Sequence, residues 1–347
     1  MEHWRVVYRA PGTDTFADIG DDGSTSVWAV GSRGEFPLVG RWDGARWRVV
    51  PGPLPSGVRG TLTSVAVVAE DDVWVSGNRP SGSLCTKRLL AHWTGSGWTV
   101  LPNPPIPPLP NGKVQRCSRL DAVGASSPND VWAAGAVLAE SDEGPGRDRF
   151  FAEHWNGSNL SLTMIPVSYT MASGAWVGAV IPASPSDVWV VGANEHESFA
   201  AHWNGTSWRE SALPGGPSRC VENEDLADGV AVAGRGRWAV GSTFCDDLGG
   251  QLPLTIYWNG TRWREVETGF GFNQYLSAVD ASSQRNVWAA GGDFSSRSEA
   301  LVARWDGVRW RRVPFRLATS GGLRGITIAS SDDIWVIGAR VVVRSGE

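Results

Sequence analysis

The chain has 347 residues and a formal net charge of −5, a balance that argues against a nucleic-acid partner, for which a basic face is expected. No apolar run is long enough to form a membrane-spanning helix, and no membrane partner is expected. With 43 Gly, 21 Pro and 20 Trp, the composition points to an all-β chain of short strands and tight turns, long enough to bury its core without metal or cofactor.

Met1-Glu2-His3-Trp4 shows neither the basic start nor the apolar stretch of a signal peptide. Trp4-Arg5-Val6-Val7 then matches Trp47-Arg48-Val49-Val50 further on. Between and beyond them one element recurs seven times, about 50 residues apart, the period of a four-stranded blade. It is marked by Val27-Trp28, Val73-Trp74, Val131-Trp132, Val188-Trp189, Arg237-Trp238, Val287-Trp288 and Ile334-Trp335. A small-residue strand precedes each mark, and each marked strand closes on a glycine (Gly31, Gly77, Gly135, Gly192, Gly241, Gly291, Gly338). A third strand ends in Trp42, Trp93, Trp155, Trp203, Trp258 or Trp305. In five of these six repeats Asp-Gly or Asn-Gly follows directly, the signal for a type I′ hairpin. The fourth strand carries Trp47, Trp98, Trp208, Trp263 or Trp310, with Leu160 in that place in repeat three.

The sequence therefore predicts an all-β, seven-bladed β-propeller as one domain over 1–347. Blades fall at approximately 15–55, 60–105, 118–167, 173–215, 224–268, 274–315 and 321–347 plus 1–11. The last repeat lacks a fourth strand, and the N-terminal strand is expected to supply it, sealing the ring and removing an exposed sheet edge. Nineteen of the 20 tryptophans sit on repeat positions, which reads as packing between blades. Trp176 is the one off the template.

The pattern Asp187-Val188-Trp189-x-x-Gly192 … His202-Trp203-Asn204-Gly205-x-x-Trp208 resembles the tryptophan-rich propeller repeats of high-GC bacteria. It is distantly similar to seven-bladed bacterial lectins. That resemblance implies a carbohydrate ligand held between blades.

Function is expected on the face that carries the fourth-to-first and second-to-third strand connections, because those loops vary in length and sequence. Four cysteines fall there, and the topology pairs Cys85 with Cys117 and Cys220 with Cys245. Both bridges together would suit an extracellular protein; free thiols and a native Met1 would suit the cytoplasm. His92, His154 and His202 share one repeat position and read as structural, whereas His196 lies off the template. No zinc-binding spacing, nucleophile elbow or phosphate loop is present, so no metal site is expected. The innermost strands carry Asp18, Arg119, Asp121, Asp225, Asp228, Tyr275, Asp280 and Arg324 where the template asks for small or apolar residues. Arg119, Asp121, Asp225, Asp228, Tyr275 and Arg324, with Trp176 and His196, are the ligand-binding candidates. Tyr169, Phe270, Phe272 and Phe294 add aromatic surface nearby. The prolines of 102–110 form a stiff polyproline II rim, or alternatively a ligand for a polyproline-reading module. The leading expectation is a monomeric binding module for a carbohydrate or small polar molecule. A metal-independent lyase, cyclase or hydrolase and a protein-interaction scaffold are the alternatives.

Overall fold

The structure, a computed structural model, describes all residues except 1–2, 24–25, 83–84, 109–116, 138–147, 169–173, 194–196, 215–221, 233, 235, 246–249, 295–298, 318, 320 and 347. The described residues contain no helix and form seven four-stranded sheets arranged as blades. In blade one the strands Asp14–Asp21, Val27–Arg33, Phe36–Trp42 and Trp47–Val50 lie in that order from the channel outwards. Blade seven is built from Leu323–Ser330, Asp333–Gly338 and Val341–Ser345, and Trp4–Arg9 adds its outer strand, pairing Trp4 with Ser345 and Arg9 with Val341.

The innermost strand of each blade carries a one-residue register shift just after its buried apolar residue: Phe16, Leu62, Leu120, Val177, Leu226, Leu276 or Leu323. Such a bulge sharpens the local twist and pushes backbone toward the second strand. The closing glycine sits opposite. A Cβ on Gly31, Gly77, Gly135, Gly192, Gly241 or Gly291 would stand 1.6–2.2 Å from a carbonyl oxygen of the innermost strand. No side chain fits there, which explains why the marked strand ends on glycine.

The marked tryptophans are almost completely buried. Each reaches across to the outer tryptophans of the next blade: Trp28 to Trp93 and Trp98, Trp74 to Trp155, Trp132 to Trp203 and Trp208, Trp189 to Trp258 and Trp263, Trp238 to Trp305 and Trp310. Trp288 meets Trp4, and Trp335 meets Trp42 and Trp47, which completes the circle. The residue two positions before the tryptophan accepts its indole N–H in four blades: Ser26, Asp72, Asp130 and Asn286. Asp130 Oδ1 accepts the indole N–H of Trp132 at 2.9 Å and contacts His154 Nε2 at 2.8 Å, while His154 stacks on Trp132 at 3.9 Å. His92 and His202 repeat that stack, and Arg41, Arg304 and Arg344 replace it with a guanidinium over the indole. These histidines therefore serve the scaffold. In blade five the buried Arg237 reaches instead to Asp187 of blade four, at 2.8 Å.

The hairpins differ in detail from the type I′ expectation. Trp42 pairs with Trp47 and Trp203 with Trp208, so the connections have four residues rather than two. Asn204 Oδ1 accepts the N–H groups of Thr206 and Ser207, both at 3.0 Å, and only Gly205 has positive φ. A side-chain oxygen closes the turn, so one glycine suffices.

Cys85 and Cys117 are bonded, with Cα atoms 5.0 Å apart. Cys245 is buried, and its expected partner Cys220 lies outside the described residues.

Trp4 donates its indole N–H to the Pro314 carbonyl at 3.1 Å and packs on Phe315. Deleting residues 1–9 is therefore expected to lower the melting temperature by about 5 °C or more and to promote self-association through the bared edge of Val341–Ser345. Calorimetry with light scattering checks this; an unchanged melt and a monomeric product would show that the strand does not close the ring.

Candidate functional site

The seven innermost strands enclose a channel of ≈ 700 Å³ lined by Asp18, Asp21, Asp121, Asp228 and Asp280, with Arg324 the one cation among its described lining residues. Four of these carboxylates reach across to the next blade. Asp18 Oδ2 accepts the Val65 amide at 2.9 Å, Asp121 Oδ2 that of Val177 at 3.0 Å, Asp228 Oδ2 that of Val279 at 2.8 Å, and Asp280 Oδ2 that of Ile328 at 2.7 Å. Asp18, Asp228 and Asp280 each use Oδ1 to accept the amide that follows them in their own strand. Ser64 makes the equivalent bond from blade two to Val123, and Thr327 of blade seven bonds Asp21 of blade one. These groups form a belt of polar ties around the channel.

Burial pushes all five carboxyl groups up from the ordinary carboxylate range. It raises Asp280 to about 6, with the Asp21 charge adding to it, and lifts Asp228 well above the ordinary range, with the charges of Asp18 and Asp280 contributing. Asp121 is offset in part by Arg119, whose Nε lies 2.9 Å from its Oδ1 as an ion pair without good hydrogen-bond alignment. Arg119 also donates to the Ala175 carbonyl, so it ties blade three to blade four.

At the mouth the sequence candidates separate from the scaffold. The residue before the buried apolar one is Thr15, Thr61, Arg119, Trp176, Asp225, Tyr275 or Gly322 as the blades are followed round. One repeat position thus holds six different residue types, whereas the next position is apolar in every blade. Trp176 is part-buried at the start of its strand. The Asp225 carboxyl makes no hydrogen bond or ion pair among the described residues, and burial raises it to about 6. Tyr275 stacks obliquely on Phe294 at 4.7 Å. Its hydroxyl occupies the space that a Cβ on Gly322 or Gly292 would need. Burial raises the phenol, while the positive charge of Arg324 draws it back. Arg324 Nη1 also reaches the Phe16 carbonyl at 3.4 Å. Phe272 and Phe294 are exposed, at 50% and 56%, on the connections into and within blade six. Asp225, Tyr275, Arg324, Phe272 and Phe294 therefore belong to one sector, blades five to seven. Arg119, Asp121 and Trp176 lie in blades three and four. His196 and Tyr169 fall outside the described residues.

Sequence reasoning missed Asp21 and the buried pair of Arg88 with Glu153. The signal for the latter was available: Glu153 stands where other third strands carry Gly40, Ala91, Ala201, Ile256 or Ala303.

No protein-family model matches the chain, and no curated protein matches it in sequence. Solved structures do match. YCF48 bound to D1 peptide is 15% identical, with 99% of this chain and 97% of that one covered and a TM-score of 0.60. The WD40 β-propeller domain of Doa1 is 12% identical, with 100% and 98% covered and a TM-score of 0.61. A streptogramin B lyase is 12% identical, with 99% and 97% covered and a TM-score of 0.64. At such identities the likeness carries the fold alone. The resemblance to high-GC bacterial repeats and lectins thus stands only as far as the seven-bladed propeller itself.

The channel carboxylates make stability pH-dependent. Their folded pKa values lie above the unfolded value of about 3.9, so the folded state holds extra protons between roughly pH 4 and 7. The stability they contribute is full below the unfolded value and is lost as pH rises through the folded one. Asp280 alone accounts for on the order of 2–3 kcal/mol. Asp43, held down at about 2 by the Arg46 and Ala45 amides and by Arg48, acts only at lower pH. The melting temperature is expected to rise by a few degrees from pH 8 to pH 5, with a smaller rise in Asp280→Asn. A melting temperature that falls over that interval would contradict the assignment.

Proposed function

We propose that this chain is a binding protein that takes an extended peptide or protein segment across the channel mouth, on the sector formed by blades five to seven. The observation that carries this reading is the contrast at the mouth. The repeated tryptophans are spent on packing and none of the 20 is exposed, while in blades five to seven Phe272 and Phe294 present ring surface and Tyr275, stacked on Phe294, lies within reach of the Arg324 charge. Aromatic surface with a few convergent polar groups is how a pocket fixes a ligand. Arg324 supplies a donor fork for a main-chain carbonyl or carboxylate. The acidic channel beneath favours a basic side chain. That YCF48 holds a peptide agrees with a peptide role for this one.

A carbohydrate is the second reading, and it draws on the same ring faces, since sugars stack on exposed aromatics. It belongs at the mouth and not between the blades, where no exposed tryptophan is offered.

Calorimetry of the full chain against a basic twelve-residue peptide, an acidic one of equal length and a glycan panel separates these readings. The basic peptide is expected to bind with a stoichiometry of one. Phe272→Ala/Phe294→Ala should weaken it by at least about tenfold, or 1.4 kcal/mol, with the melting temperature changed by no more than about 2 °C. Equal affinity for both peptides, or several equivalent glycan sites, would overturn the proposal.

A further inference from the structure

Between the outer strand of blade two, Trp98–Val100, and the innermost strand of blade three, Ser118–Ser127, residues 101–108 read Leu-Pro-Asn-Pro-Pro-Ile-Pro-Pro. Every residue from 101 to 107 is a proline, precedes one, or both. Proline fixes its own φ near −65° and drives the residue before it out of the helical region, which favours polyproline II along the segment, a helix that turns once every three residues.

The contacts have that period. Asn103 and Ile106 face the body: Asn103 Nδ2 donates to the Arg88 carbonyl at 2.9 Å, and Ile106 joins the apolar cluster around Trp74, Leu120 and Phe151. The carbonyls of Pro104 and Pro107 accept from Arg88 Nη2 at 2.7 Å and Arg149 Nη2 at 3.1 Å. Pro102, Pro105 and Pro108, the third edge, are all exposed.

The anchor is unusual for this ring. Arg88 is paired with the fully buried Glu153, an acid where other third strands are apolar or glycine. Burial raises Glu153 to about 7, with Arg88 opposing. A buried ion pair is a poor source of stability, but here it fixes the guanidinium that grips the strap. The Cys85–Cys117 bond holds the adjoining loops together.

We infer that the ridge Pro102–Pro105–Pro108 is a docking surface for a second protein, one that reads a polyproline II chain with an aromatic-lined groove. The spacing is that of a P-x-x-P ligand, with successive prolines about 9 Å apart. Such grooves select this helix because it is already ordered, and anchoring the strap at Arg88 and Arg149 lowers the ordering cost of binding. This surface lies in blades two and three, away from the mouth of blades five to seven, and is independent of the ligand there.

The test titrates the full chain into two isotope-labelled modules, an SH3 domain and a WW domain, followed by nuclear magnetic resonance. Saturable shifts confined to the aromatic groove of at least one module are expected. Pro102→Ala/Pro105→Ala/Pro108→Ala should weaken binding at least about tenfold, and the single Pro105→Glu should do the same while keeping the wild-type melt. Phe272→Ala/Phe294→Ala should bind the modules as wild type does. Absence of shifts in both modules, or undiminished binding by Pro105→Glu, would overturn the inference.

Discussion

Each of the seven junctions between blades is held by the same contact, an indole of one blade set against the outer tryptophans of the next. The centroid distances run from 4.6 Å for Trp189 and Trp258 to 6.5 Å for Trp288 and Trp4. A tryptophan buried in this way removes 150–250 Å² from water, worth about 4–6 kcal/mol gross at 25 cal/mol per Å². A side-chain oxygen two places earlier in four blades, and a histidine, arginine or tyrosine lying against the ring, fix its orientation. Much else in the scaffold follows from this contact. The closing glycines allow the innermost strand to bulge toward the tryptophan strand, and the N-terminal strand brings Trp4 to the one junction that would otherwise lack its outer indole.

Inside that frame the polar residues of the innermost strands divide by depth. Asp18, Asp121, Asp228 and Asp280 lie in the channel and accept amides of the next blade, so they act as ties. Asp225 and Tyr275 stand at the mouth, where the sequence changes from blade to blade, with Arg324, in the channel wall at the repeat position of Asp121, close enough to draw down the Tyr275 phenol. The ties, at three different repeat positions in four blades, are told from the site by the amides they accept. On that distinction rests the proposal that ligand binding belongs to blades five to seven, with the proline strap of blades two and three proposed as a separate surface.

Much of this was legible in the sequence. The tryptophan period set the blade count, Trp4-Arg5-Val6-Val7 announced the closure, and the topology of two loops brought Cys85 to Cys117. The hairpin turn type was not legible, because Asn-Gly serves both a two-residue turn and a four-residue loop closed by the Asn oxygen. Nor was the role of Asp228 or Asp280: an acid on an innermost strand reads alike whether it faces a ligand or a neighbouring amide, and the choice depends on strand stagger between blades. Arg88 and Glu153 are 65 residues apart, and only the meeting of two third strands makes them a pair.

The central claim, that indole contacts across the junctions hold the ring, is tested most directly by a double-mutant cycle on Trp189 and Trp263, whose rings meet edge to face at 5.2 Å. Urea unfolding of the wild type, Trp189→Leu, Trp263→Leu and the double variant gives the coupling between them. A coupling energy of about 1 kcal/mol is predicted. Strictly additive losses would contradict it and would assign the junctions to general burial alone.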